Sequence, residues 1–251
     1  MGPTIGIVRW LAVIAAASFF VAALLFLGLT FNVFVKPPDI PASADLPTNL
    51  LAAVPAIHAM WPFDAVSSLL FGVGFGALAL LGRPLASLVP AGRGGATLIG
   101  PALLGGGVLG VAAQLIHVGA QQLVVDIPYC DCGFKVQETI SQHWALVLIG
   151  GAQSWLTNGA AILLVVGFSV AGYVLADVVR SAGWRELSFL TAAVAVVSVI
   201  LSALELGGDL TQLLIAAIAA ILIPLWAVLL VIGLGRGQTS RADARDDPGS
   251  A

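Results

Sequence analysis

Cys130-Asp131-Cys132 sets two thiols around a carboxylate, and two imidazoles, His58 and His143, stand in other segments between the expected membrane spans. Thiolates, imidazoles and carboxylates are ligands for zinc and copper, so these residues form a candidate metal site. The C-x-C spacing lacks the paired C-x-x-C arrangement of strong zinc motifs and leaves two other chemistries open. One is a disulfide between Cys130 and Cys132, strained but within the distance limits of a bridge, and the other is thiol–disulfide exchange. His117, brought together with His58 or His143, would supply the axial ligands of a haem.

A second constellation lies inside apolar sequence. Gly106, Gly110, Gln114, His117 and Gln121 recur at helical spacing and share one face, small at one end and polar at the other. Thr191, Ser198, Ser202 and Glu205 make a matching stripe that ends in a carboxylate. Acids within a membrane are costly and usually turn to a partner in the bundle interior, so Glu205 is expected to face His117 or Gln121 unless it reaches the water. Gln114, His117, Gln121 and Glu205 thus form a candidate polar pocket with His117 as ligand or proton acceptor. The same residues would otherwise bond across helices at roughly 0.6 to 2 kcal/mol each.

No nucleophile with an adjacent base and no pair of intramembrane acids is present, so the reading leans away from an enzyme. Gly105 to Gly110 satisfies G-x-G-x-x-G, but no strand precedes it and it lies within an apolar span, which makes it a helix-packing surface. Ser68, Gly72 and Gly76, four apart, mark another close helix contact.

The elements that must carry these groups are membrane helices. The chain is 59% hydrophobic and 9% charged, against roughly 45–50% and about 25% in soluble domains. No basic cluster interleaved with aromatics exists to bind nucleic acid. An all-α, polytopic bundle of six transmembrane helices follows, over residues 1–234. The first span falls within Ile5 to Val35. Arg9 ahead of it and Ala42, Ser43 and Ala44 after it outline a secretory signal, but the apolar run far exceeds the roughly 7–15 residues of such a signal. The next spans are expected at about Ala65 to Leu81, Ala96 to Val125, Trp155 to Val179, Ser188 to Leu206 and Leu210 to Leu234. Outer loops occupy 36–64 and 126–154. Val136, Ile140, Trp144, Val147 and Leu148 recur opposite Gln137, Glu138, Ser141 and Gln142, which predicts an outer amphipathic helical segment that bends near Gly150 and Gly151 before the crossing. Thr48 to Trp61, interrupted by Pro55, is read in the same way. Residues 235–251 are expected to be a disordered cytoplasmic tail.

Every arginine falls in alternate gaps between spans: Arg9, then Arg83 and Arg93, then Arg180 and Arg185, then Arg236, Arg241 and Arg245. Flanking basic residues are retained in the cytoplasm, so the sequence predicts a multi-pass cell-membrane protein with both termini cytoplasmic. The opposite face gathers both cysteines, all histidines and most acids. Asp177, near the inner end of its helix, is expected to pair with Arg180 in solvent. Trp10, Trp61, Trp155 and Trp184 lie where an interfacial aromatic belt would be.

A tryptophan-containing segment opening the second span, a glycine-rich third span and the turn Gly183-Trp184-Arg185 before the fifth resemble the layout of poorly characterised six-helix bacterial integral membrane proteins. The resemblance covers most of the chain but carries no specific motif and implies no activity; the preference for arginine with abundant Ala, Gly and Val adds only the composition of a GC-rich bacterial genome. The leading reading is an accessory, scaffold or interaction subunit with an acidic outer face, set in the lipid bilayer and associating with a membrane protein or with itself. The alternatives are a metal- or haem-binding redox-linked subunit with its site at the outer face, and a small-solute transporter, toward which Pro224 and the glycines of the third span point.

Overall fold

A long apolar segment satisfies its own backbone polar groups only as a helix, and among the described residues every regular element is helical. The computed structural model describes residues 2–34, 46–125, 136–204 and 208–243, with side chains over 3–34, 57–123, 125, 148–204 and 210–236. The helices are α1 (Gly2–Thr30), α2 (Leu46–Ala86), α3 (Ala96–Val125), α4 (Val136–Val174), α5 (Trp184–Ala203), α6 (Gly208–Ala217) and α7 (Ile223–Asp243), with a π-helical turn, Ile218–Leu222, joining the last two. Among the described residues six stretches are long and apolar enough to cross a membrane: Pro3–Thr30, Ile57–Ala86, Ala96–Leu123, Leu148–Val174, Trp184–Ala203 and Leu210–Arg236.

Three helices run further than the expected spans. The outer loop placed at 36–64 is helical from Leu46 onward as the first part of α2, which runs through Pro55 and Pro62. A proline inside a helix loses its own N–H bond and crowds the carbonyl four residues back, but both effects are local and the remaining bonds of so long a helix carry the chain past it. The separate amphipathic segment and the crossing are likewise one helix, α4, with Gly150 and Gly151 inside it. Glycine costs about 1 kcal/mol in a helix but does not stop one. The tail placed at 235–251 is helical as far as Asp243.

The helices form a closed ring: each packs on the next in sequence, and the α6–α7 span returns to pack on α1. Val8, Ala12, Ala15, Phe19 and Ala22 of α1 are buried at alternating steps of four and three, the spacing of a left-handed helix seam. At Ala22 the small side chain lets α2 come close enough for the Ser67 hydroxyl to donate to the Ala22 carbonyl at 2.9 Å. α3 is pressed between α2 and α4. A Cβ on Gly107 would lie 2.5 Å from the Phe75 carbonyl oxygen, and one on Gly106 3.0 Å from that of Ala160. The face of Gly72 and Gly76 does meet α3, but at ordinary contact distances of 3.8 and 3.9 Å; the tight approaches between the two helices are at Gly107 and, further along α2, at Gly82, where a Cβ would lie 2.8 Å from the Gly100 carbonyl oxygen. Outward-facing Leu24, Leu80, Leu104, Ile200 and Ile232 are exposed, the kind of surface that a bilayer covers.

The arginine-bearing end is fastened by polar and aromatic contacts. Trp184 and Trp226 are fully buried with ring centroids 5.7 Å apart, and Phe168 meets Trp226 edge-on at 4.9 Å. The Trp226 indole N–H donates to Ser188 Oγ at 2.9 Å, and that hydroxyl donates to the Trp184 carbonyl at 2.8 Å. Trp184 is therefore a core residue, not part of an interfacial belt; Trp10 and Trp155 are exposed, at 69% and 77%. Gly183 precedes α5 with φ 82°, a left-handed conformation that lets the chain reverse into the helix.

Asp177 pairs with Arg93, not with Arg180. Arg93 also donates through Nη1 to the carbonyl of Val174, the last residue of α4, at 2.9 Å. A cation at a helix C-terminus satisfies an orphan carbonyl and complements the helix dipole. Arg93→Ala is therefore expected to lower stability by about 1 kcal/mol through the lost cap, and Asp177→Ala, which removes only an exposed ion pair, by less than about half of that. Unfolding of the two variants by detergent titration checks the order, and equal losses would contradict it.

Candidate functional site

At the opposite, histidine-bearing end, three helices converge on one imidazole. His117 of α3 directs Nε2 at Asp64 Oδ2 of α2, 2.9 Å away, and Nδ1 at Gln153 Oε1 of α4, 3.2 Å away. Gln121, one turn along α3, brings its amide nitrogen to 3.1 Å from His117 Nε2. Asp64 and His117 keep only 18% and 25% of their side-chain surface exposed. The four side chains form a lattice that ties α2, α3 and α4 together. A doubly protonated ring donates Nε2–H to Asp64 and Nδ1–H to Gln153 and forms a net-neutral pair with the Asp64 carboxylate; the Gln121 amide nitrogen, itself a donor, then packs beside Nε2 without bonding it.

Each contributing helix continues inward on the same face. On α2 the steps Asp64, Ser68, Phe71, Phe75 follow the helical period, as do Gln121, His117, Gln114 on α3 and Gln153, Thr157, Ala161 on α4. These faces lead into a cavity of about 140 Å³ that receives side chains from all six spans. Phe19 of α1, Phe71 and Phe75 of α2, and Leu164 and Phe168 of α4 supply apolar wall. Gln114, Thr157, Asn158, Thr191, Ser198 and Ser202 supply polar atoms. The ring explains the space: six cylinders in a closed ring leave a hole at the centre, and the aromatic side chains fill it only in part.

The sixth span bends its rules here. Pro224 has no N–H, and its ring would press on the carbonyl four residues back; the chain relieves this with the π turn Ile218–Leu222. Ile218 and Ala219 of that turn line the cavity, so Pro224 marks a widened helix wall at the cavity.

No family model, curated protein or solved structure matches the chain. The assignment of a role therefore rests on the geometry.

Of the residues singled out from sequence, Gln114, His117 and Gln121 do share one inward face, with His117 and Gln121 in the lattice and Gln114 at the cavity. Thr191, Ser198 and Ser202 line that cavity too, so the two stripes meet there although α3 and α5 are not neighbours in the ring. Glu205 lies outside the described residues; the acid on His117 is Asp64. Cys130 and Cys132 also lie outside them, as does the side chain of His143. Among the described residues no three His, Cys, Asp or Glu side chains gather as a metal site. His58 sits on α2 with a buried Nε2 that has no hydrogen-bond partner among the described residues. Both nitrogens of His117 are engaged, so an axial role for it would require the lattice to come apart.

Asp64 and Gln153 were missed because the expected spans began at Ala65 and Trp155. Had Pro62 and Gly151 been allowed inside helices, Asp64 would have stood out as an acid within a span, the strongest sign of a buried partner.

Proposed function

We propose that this chain is a multi-pass cell-membrane protein with both termini cytoplasmic, and that it works as a non-enzymatic accessory subunit that holds a small molecule in its bundle. The observation that carries the reading is a cavity lined from all six spans, with the Asp64–His117–Gln153 lattice beyond it. Ligand sites in membrane bundles are apolar chambers with a few placed polar groups, and this cavity has that make-up. Under this topology the lattice is the outer lid and the Trp184–Trp226–Phe168 cluster the inner floor. A membrane-protein partner or a second copy would be held by the lipid-facing surface.

A small-solute transporter is the second reading, favoured by the π turn at the cavity wall. The two are separated by thiol accessibility of Gln114→Cys with both native cysteines replaced by serine. Loss of two interhelical hydrogen bonds at about 0.6 kcal/mol each makes an open lid roughly tenfold more frequent. A membrane-impermeant thiol reagent applied outside is therefore expected to react slowly in the parent and about tenfold faster when His117→Ala is added. Equal rates in the two backgrounds would overturn the lid, and reaction from the cytoplasmic side would favour the transporter.

A further inference from the structure

We infer that the cavity takes a neutral, bilayer-soluble amphiphile: a single aromatic ring or short branched chain bearing one carbonyl or hydroxyl group. The inference rests on the binding reading above and specifies its ligand. Among the described residues no ionisable side chain lines the cavity, so a charged ligand would lose its hydration without gaining a counter-ion from them. The volume of about 140 Å³ is close to that of an engineered protein cavity of about 150 Å³ that admits benzene. Phe19, Phe71 and Phe75 offer ring faces and edges to an apolar body, and Phe19 itself sits 5.0 Å from Phe75 in an edge-on pair.

The polar groups are unequal, and their inequality defines the ligand's polar end. Three hydroxyls are already used along their own helices: Thr157 donates to Gln153 O, Thr191 to Leu187 O and Ser198 to Ala195 O, all within 2.9 Å. Two carboxamides are not. Gln114 has no hydrogen-bond partner among the described residues, and Asn158 reaches Ser202 Oγ only at 3.5 Å, with its own carbonyl oxygen unmatched there. A carboxamide presents both N–H donors and a carbonyl acceptor, the complement of a ligand carbonyl or hydroxyl. The free carboxamide capacity thus collects at Gln114 and Asn158, with the Ser202 hydroxyl beside Asn158, while the hydroxyls of Thr157, Thr191 and Ser198 are turned to their own helices. Water alone would find few partners against such a wall.

The test uses the full chain in lipid nanodiscs and a butanol photoprobe carrying a diazirine, with adducts mapped by mass spectrometry. Adducts are expected on the cavity-facing residues of α3, α4 and α5 and are lost in Ala195→Phe, which fills the space. Acetophenone and isopropylbenzene, matched in shape, serve as competitors at equal membrane concentration. One hydrogen bond to the ligand carbonyl makes acetophenone roughly tenfold the better protector, and Gln114→Leu with Asn158→Leu erases that margin but keeps protection by both. Equal protection in the parent would overturn the assigned ligand class while leaving a binding cavity. Adducts confined to lipid-facing residues such as Leu80 and Leu104 would overturn the cavity reading itself.

Discussion

Asp64→Ala is expected to destabilise the bundle by about 2 to 3 kcal/mol, the larger part of which reflects what remains and not what is removed. Breaking a buried ion pair by deleting one member costs about 3–5 kcal/mol, because the other is stranded in a low-dielectric site. Here the pair keeps a fifth to a quarter of its surface, which lowers the figure. Without the carboxylate, His117 Nε2 retains only Gln121 nearby, and α2 loses its polar tie to α3. The double variant Asp64→Leu with His117→Leu removes the stranded group as well and is expected to recover most of the loss, leaving Gln121 and Gln153 to find each other or the water. Detergent-titrated unfolding of the two single variants and the double variant gives a coupling energy. Strict additivity would show that the two side chains do not act as a pair.

The second large effect is steric. Gly107→Ala would place a Cβ 2.5 Å from the Phe75 carbonyl oxygen, 2.6 Å from Ala79 Cβ and 2.8 Å from the Ala79 nitrogen. Two of those atoms belong to the backbone of α2 and cannot turn aside, so the helices must part. Overpacking of this kind costs about 1–3 kcal/mol, and the expected loss is near 2 kcal/mol even after alanine's better helix propensity. Gly119→Ala on the same helix is the control. Nothing lies within 4 Å of the added Cβ there, so it is expected to be neutral or to stabilise by up to about 1 kcal/mol. Thermal unfolding of the purified variants compares them, and a Gly107 variant as stable as the Gly119 variant would refute the close approach.

Hydropathy made the number of spans legible, and α3 was readable to its ends because a glycine-rich, arginine-bearing turn precedes it and polar sequence follows. Helical periodicity likewise exposed the face carrying Gln114, His117 and Gln121. What the sequence hid was tertiary. Asp64 and Gln153 sit just outside the apolar cores of their spans, beside Pro62 and Gly151, yet a helix survives one missing bond or one flexible residue when its neighbours hold it. Arg93 and Asp177 are far apart in the chain, so the local partner Arg180 looked nearer than it is in space. A per-residue transfer scale records the cost of burying each group alone; it carries no term for the partner that offsets that cost.

The contact between the first helix and the last span has a consequence for how the protein is made. A chain emerging from its N-terminus lays down α1 through α5 as an open arc, with Gln114, Asn158 and the hydroxyls of α5 facing a gap. Only the last span, which meets α1 on one side and α5 on the other, closes that gap. Domains form in the order of synthesis, so the interior becomes an interior at the final step. Truncation before Gly208 would therefore remove more than a sixth of the wall: it would leave an open trough where the complete protein has a chamber.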